Sequence, residues 1–158
     1  MKIKKYSNDF ISDLPRTYEI LQSGEFSVHE SVVKVAIYGS HGLDKRARID
    51  SDINLWLVVN ASLIPREEKK AMDFLDSVLD ETLSNWKGHN SLDLFVVFDI
   101  AGCHLKCLDK EFTSCTVNQS MTDCLGIYRS SALFRGFLNN EGCNIKEALP
   151  FCTVYAVK

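Results

Sequence analysis

Residues 35–59 read VAIYGSHGLDKRARIDSDINLWLVV, and this stretch decides the fold. Its opening continues an apolar, β-branched run from Ser31 (SVVKVAIY) that stops at Gly39-Ser40, the pattern of a buried strand ended by a turn. Residues 41–50 (HGLDKRARID) are polar and basic without a period, and Ile53 to Val59 (INLWLVV) form a second strand. Side chains alternate along a strand, so Asp52 and Asn54 share one side while Ile53, Leu55 and Leu57 take the other. Buried without partners, two such polar groups would cost roughly 1–3 kcal/mol each. A divalent cation would give them a reason, because Mg²⁺ favours a few carboxylates together with phosphate oxygens and waters. Gly39 permits close backbone approach, and the Ser40 hydroxyl with nearby N–H groups suits a terminal phosphate. Lys45, Arg46 and Arg48 lie between the strands, available to triphosphate charge or an acidic partner, although a solvated loop face is their plainer reading.

Working outward, residues 8–22 carry Phe10, Ile11, Leu14, Tyr18 and Leu21 at helical spacing, with Pro15 dividing two short helices. Arg66 to Trp86 is the clearest helix, with Met72, Leu75, Leu79, Leu83 and Trp86 every three or four residues. Pro65 suits its first turn, Glu67 and Glu68 favour the positive end of its dipole, and Gly88 ends it. Leu92 to Ile100 (LDLFVVFDI) is a third strand. Farther on, the pattern gives a strand over Phe112 to Val117 and a helix over Met121 to Leu138. That helix gathers Met121, Cys124, Leu125, Tyr128, Ala132 and Leu133 on one face despite Gly126 and Gly136, and Phe151 to Val157 forms a last strand. With no repeat and no linker, residues 1–158 make one domain of the α/β (α+β) class, a mixed β-sheet flanked by helices.

The segment resembles the signature of the DNA polymerase β-like nucleotidyltransferase superfamily, a glycine-serine turn followed some ten to thirteen residues later by Asp-x-Asp in a strand. Within it, the small minimal nucleotidyltransferases look most similar, some of which act as antitoxins. The resemblance covers about residues 32–98. It implies a nucleotidyltransferase fold, NTP as substrate and Mg²⁺ or Mn²⁺ as cofactor. Asp52, Asn54 and Asp93 fall on the metal-binding and catalytic positions, Asp93 opening the strand LDLFVVF, and Gly39 and Ser40 on the phosphate-binding turn. The implied reaction moves a nucleoside monophosphate to a hydroxyl acceptor, with Asp93 helping the acceptor lose its proton. One departure stands out: the second aspartate of the motif is Asn54, which brings an oxygen but no negative charge. That departure supports a rival reading, a degenerate member serving as a nucleotide-binding, antitoxin or protein-interaction module. Asp50 would replace Asp52 if the strand register were shifted by two.

The bulk numbers exclude some other classes. A net charge of −3 argues against general DNA or RNA binding. Asp13, Arg16 and Glu19 interrupt the apolar positions after the basic start, so neither a signal peptide nor a membrane span is expected, and the cytosol is the expected compartment. There the six cysteines read as reduced thiols, and Cys103, His104, Cys107 and Cys115 make a poor zinc pattern. No Ser/His/Asp order or Gly-x-Ser-x-Gly element supports nucleophilic catalysis. His41 reads as an exposed loop residue, His89 and His104 belong to no constellation, Trp56 and Trp86 read as core, and Arg129 and Arg135 as solvent-facing charges of a helix.

Overall fold

The structure is a computed structural model, and residues 1–43, 45–99, 108, 125–138 and 150–157 are described. Helices α1 (Asn8–Asp13) and α2 (Pro15–Ser23) precede strands β1 (Val32–Tyr38) and β2 (Ile53–Val59). A short 3-10 turn (Ala61–Leu63) and α3 (Glu68–Asn85) lead to β3 (Leu92–Asp99), followed by β4 (Leu125–Ser130), β5 (Arg135–Phe137) and β6 (Cys152–Ala156). The six strands lie in the order β5-β4-β3-β2-β1-β6. Among the described strands only β2 and β3 are parallel, joined through α3, because a parallel neighbour needs a crossover that a tight turn cannot supply. The mixed sheet expected from the sequence is therefore present, as is the break at Pro15. Helix α3 starts two residues later than its periodicity indicates, because Glu67 is still extended (ψ 128°) and Pro65 falls in the link before it.

The sheet buries both faces. Against one face pack the helices, with Phe10, Leu21, Leu75 and Leu79 meeting Ile37, Leu55, Leu94 and Val96. On the other lies a smaller cluster around Ala36, Trp56, Phe95, Val97 and Phe151. Its rings sit edge-to-face or tilted, with Trp56 and Phe151 centroids 4.9 Å apart and Trp56 and Phe95 5.5 Å apart. Trp56 is core as expected, whereas Trp86 is half-buried and donates its indole N–H to the Asn90 carbonyl at 2.8 Å.

The helix expected over 121–138 is not formed. Leu125–Ser130 and Arg135–Phe137 are antiparallel strands extending the sheet beyond β3. The apolar residues there fit either period, and pairing with β3 settles the matter. Gly126 lies opposite Phe98, and a Cβ at that position would come within 2.0 Å of the phenylalanine ring. It is a strand glycine that leaves room for a cross-strand ring. Met121 to Cys124, the strand expected at 112–117, and Cys103, His104, Cys107 and Cys115 lie outside the described residues.

Strands β4 and β5 are tied to α3 by polar contacts. The fully buried Tyr128 donates its hydroxyl to Asp76 at 2.7 Å, and Arg135 reaches Asp76 at 3.4 Å and Asp80 at 2.9 Å. Arg135 is thus paired from a strand, not displayed on a helix. Burial, and then the bond to Asp76, push Tyr128 up to about 12; burial, and then Tyr18, push Tyr6 up to about 12 as well. In the unfolded chain both phenols ionise near ~10, so between there and about 12 the unfolded state has lost protons that the folded state keeps. Stability is accordingly expected to be intact below the lower value and to fall as pH rises through that window. Tyr128→Phe should remove roughly half of that pH slope, since one of the two shifted phenols is gone. Denaturant unfolding across the alkaline range, followed by circular dichroism, checks it.

Candidate functional site

Strand register assembles the site from residues far apart in sequence. Asn54 lies opposite Tyr38 of β1 on one side and opposite Asp93 of β3 on the other. Ile53 and Leu55 are buried on the helix side, so Asn54 and Asp93 point to the other face with Trp56 and Phe95. This fixes the register: Asp52 is exposed two residues before Asn54, and Asp50 sits in an exposed turn outside the strand. Gly39 ends the bend after β1 with φ +81°, and a Cβ there would lie 2.7 Å from the Asn54 amide nitrogen. Both the left-handed backbone and this close approach call for glycine. The sequence-level set thus brings Gly39, Asn54 and Asp93 side by side, with Asp52 at the margin.

The loop after Gly39 is held by tight turns and by three anchors. The Gly42 N–H donates to the Gly39 carbonyl at 2.9 Å, the Lys45 N–H to Gly42 at 3.0 Å and the Arg46 N–H to Ser40 at 3.0 Å. His41 is buried, in contrast to the exposed position expected of it. Its Nε2 donates to the Ser51 carbonyl at 2.9 Å, and its own carbonyl accepts from Thr17 Oγ1 of α2 at 2.8 Å. The Asn90 amide donates to the Ile49 and Ser51 carbonyls, each at 3.0 Å. Such bonds satisfy loop carbonyls that no strand would pair. Thr17 and Asn90 stand out only in three dimensions, and no spacing in the sequence marks them.

Arg129 is a site residue that the sequence reading places wrongly, on a helix facing solvent. It projects from β4, opposite Phe95, with its guanidinium carbon 4.8 Å from the Phe95 ring centroid. Its Nε donates to Asp93 Oδ1 at 3.1 Å and its Nη2 to Oδ2 at 2.8 Å, a two-pronged pair in which Asp93 is only 8% exposed. The bond to Asp93 raises the Arg129 pKa further above its ordinary value. Arginine is the side chain whose planar fork suits this geometry. The carboxylate that the resemblance gives to a metal is therefore held at both oxygens by a cation from the chain itself.

The remaining candidates face elsewhere. Ser40, Lys45 and Arg48 line a cavity of about 640 Å³ on the helix side of the loop, walled also by Asp13 to Thr17, Ile20, His89 and Asn90. Arg46 is exposed, and neither it nor Gly39 is among the residues lining that cavity. This cavity and the Asn54–Asp93 pair are thus two places, not one.

Mg²⁺ asks for about six oxygen ligands in near-octahedral order. Among the described residues no three His, Cys, Asp or Glu side chains converge on such a point. With both Asp93 oxygens on Arg129, exposed Asp52 and the neutral Asn54 are what remains. As arranged, these side chains do not fit a resident two-metal set, and a metal ion would have to take Asp93 from Arg129. Compared with models of known protein families, with curated proteins and with solved structures, the chain finds no match. Among the described residues, no helix is long and apolar enough to cross a membrane.

Proposed function

We propose that this chain is a nucleotidyltransferase-like domain that binds a nucleoside triphosphate and has lost efficient transfer. The carrying observation is the Arg129–Asp93 pair beside Asn54: two changes reduce the negative charge at one spot. The strand–turn–strand–helix–strand order, with Gly39 against Asn54 and Asn54 beside Asp93, supports the nucleotidyltransferase fold. In this reading the Gly39 turn cradles the terminal phosphates, and Arg129 supplies the positive charge that a metal supplies in active members. The output is then a nucleotide-dependent contact with another protein rather than a product.

A second reading keeps the transferase, with Asp52, Asn54 and Asp93 holding Mg²⁺ or Mn²⁺ once Arg129 withdraws. Arg129 is 34% exposed at its side chain, so withdrawal needs no core rearrangement. One experiment separates the two. Binding of each NTP is measured by thermal shift with and without Mg²⁺, and label transfer to RNA, protein and small hydroxyl acceptors is followed in parallel. NTP binding that changes less than about twofold with Mg²⁺, without transfer, is the expected result. Metal-dependent turnover by the unaltered chain at about 1 s⁻¹ or faster would establish the second reading instead. Asn54→Asp should bind divalent cations at least about tenfold more tightly when combined with Arg129→Leu, because the pair of adjacent carboxylates is then restored and released.

A further inference from the structure

We infer that the cavity on the helix side of the loop is a binding site for a small organic phosphate with an apolar or aromatic body. Its volume of about 640 Å³ falls in the ~300–1,000 Å³ range of small-molecule sites. Among the described residues, three cations, Arg16, Lys45 and Arg48, line it against one acid, Asp13, a balance that favours an anion. Its remaining titratable lining is His89, exposed at the rim, and His41, buried and bonded to the Ser51 carbonyl. Leu14 and Ile20 supply an apolar wall, and Ile49 is exposed at its rim.

The site is built rather than incidental. Lys45 is held at φ +53°, a left-handed conformation that costs a non-glycine residue roughly 1–2 kcal/mol, and lines the cavity from there. The floor is rigid, because Thr17, His41 and Asn90 fix the loop carbonyls around it at 2.8–3.0 Å. Arg16 comes from the first turn of α2 and Lys45 and Arg48 from the loop, so the lining cations are supplied by two separate elements. None of Asn54, Asp93 and Arg129 touches this space, and the inference stands whether or not the sheet face binds triphosphate.

Titration calorimetry of the whole chain with AMP, adenosine and inorganic phosphate tests it. Saturable AMP binding is expected, with adenosine and phosphate each at least tenfold weaker, since each brings half of the recognition. Arg48→Glu and Ala47→Trp alter exposed positions and should each weaken AMP at least tenfold, the first by charge and the second by filling space. Arg129→Leu should leave AMP affinity within twofold. Absence of AMP binding at millimolar concentration overturns the inference. Binding that ignores both cavity variants, or that follows Arg129→Leu instead, overturns it equally by placing the nucleotide elsewhere. Inorganic phosphate binding as tightly as AMP overturns the role of the apolar wall.

Discussion

Arg129→Leu is expected to destabilise the fold by about 2–3 kcal/mol, because it strands a carboxylate that water barely reaches. Removing one partner from a fully buried pair costs more, but here Arg129 keeps a third of its side chain in solvent, which lowers the figure. For a chain of this length the midpoint of thermal unfolding should fall by roughly 5–10 °C. Without its cation, Asp93 is left as a buried carboxylate whose ion-pair partner is gone. Adding Asp93→Asn to Arg129→Leu should recover most of the stability, as the charge is then gone. Thermal melts of the four proteins in the cycle measure all of this. A single variant as stable as the parent would show that the pair is ornamental.

Gly39→Val should be the most damaging change to the turn. A β-branched residue at φ +81° is strained, and its Cβ would press on the Asn54 amide from 2.7 Å. Together these should cost about 2–3 kcal/mol. If the proposed triphosphate site is right, NTP affinity should fall by at least about thirtyfold, because the phosphate-binding backbone shifts along with Asn54. Gly39→Ala keeps the strained φ with a smaller side chain and should fall between. Equilibrium unfolding and NTP titration of the two variants check both parts. Unchanged NTP affinity in a folded Gly39→Val protein would remove the turn from the site.

The β1–β2–α3–β3 unit was legible because its signals are local. Strands such as VVKVAIY and INLWLVV are apolar apart from Lys34 and Asn54, and α3 repeats its apolar residues at a helical period. The neighbourhood of Asn54 and Asp93 is what the family resemblance implies, and the parallel pairing of β2 with β3 places the two residues opposite each other. What remained illegible depended on pairing across long separations. Arg129 meets Asp93 over 36 positions, and residues 125–128 alternate well enough for a strand and cluster well enough for a helix. Gly126 was the available clue, since a glycine weakens a helix but accommodates a facing ring in a sheet. His41 was misread as exposed for a similar reason. Its burial depends on Thr17 and on the Ser51 carbonyl, and neither contact has a sequence signature.

The strand that carries the turn also sets a timetable. Strand β1 is flanked by β2 on one side and by β6 on the other, so its second neighbour is Cys152–Ala156 near the end of the chain. On a ribosome, the unit through β3 can collapse early, yet β1 keeps an open, apolar edge until about residue 156 has emerged. The Ser7 N–H bonds the Val154 carbonyl at 2.9 Å, so the segment before α1 also waits for β6. Translation that stalls before β6 would therefore release a species whose exposed template is the very strand that bears Gly39. Chaperone capture or self-association of such truncated chains is the practical consequence of placing β6 beside β1.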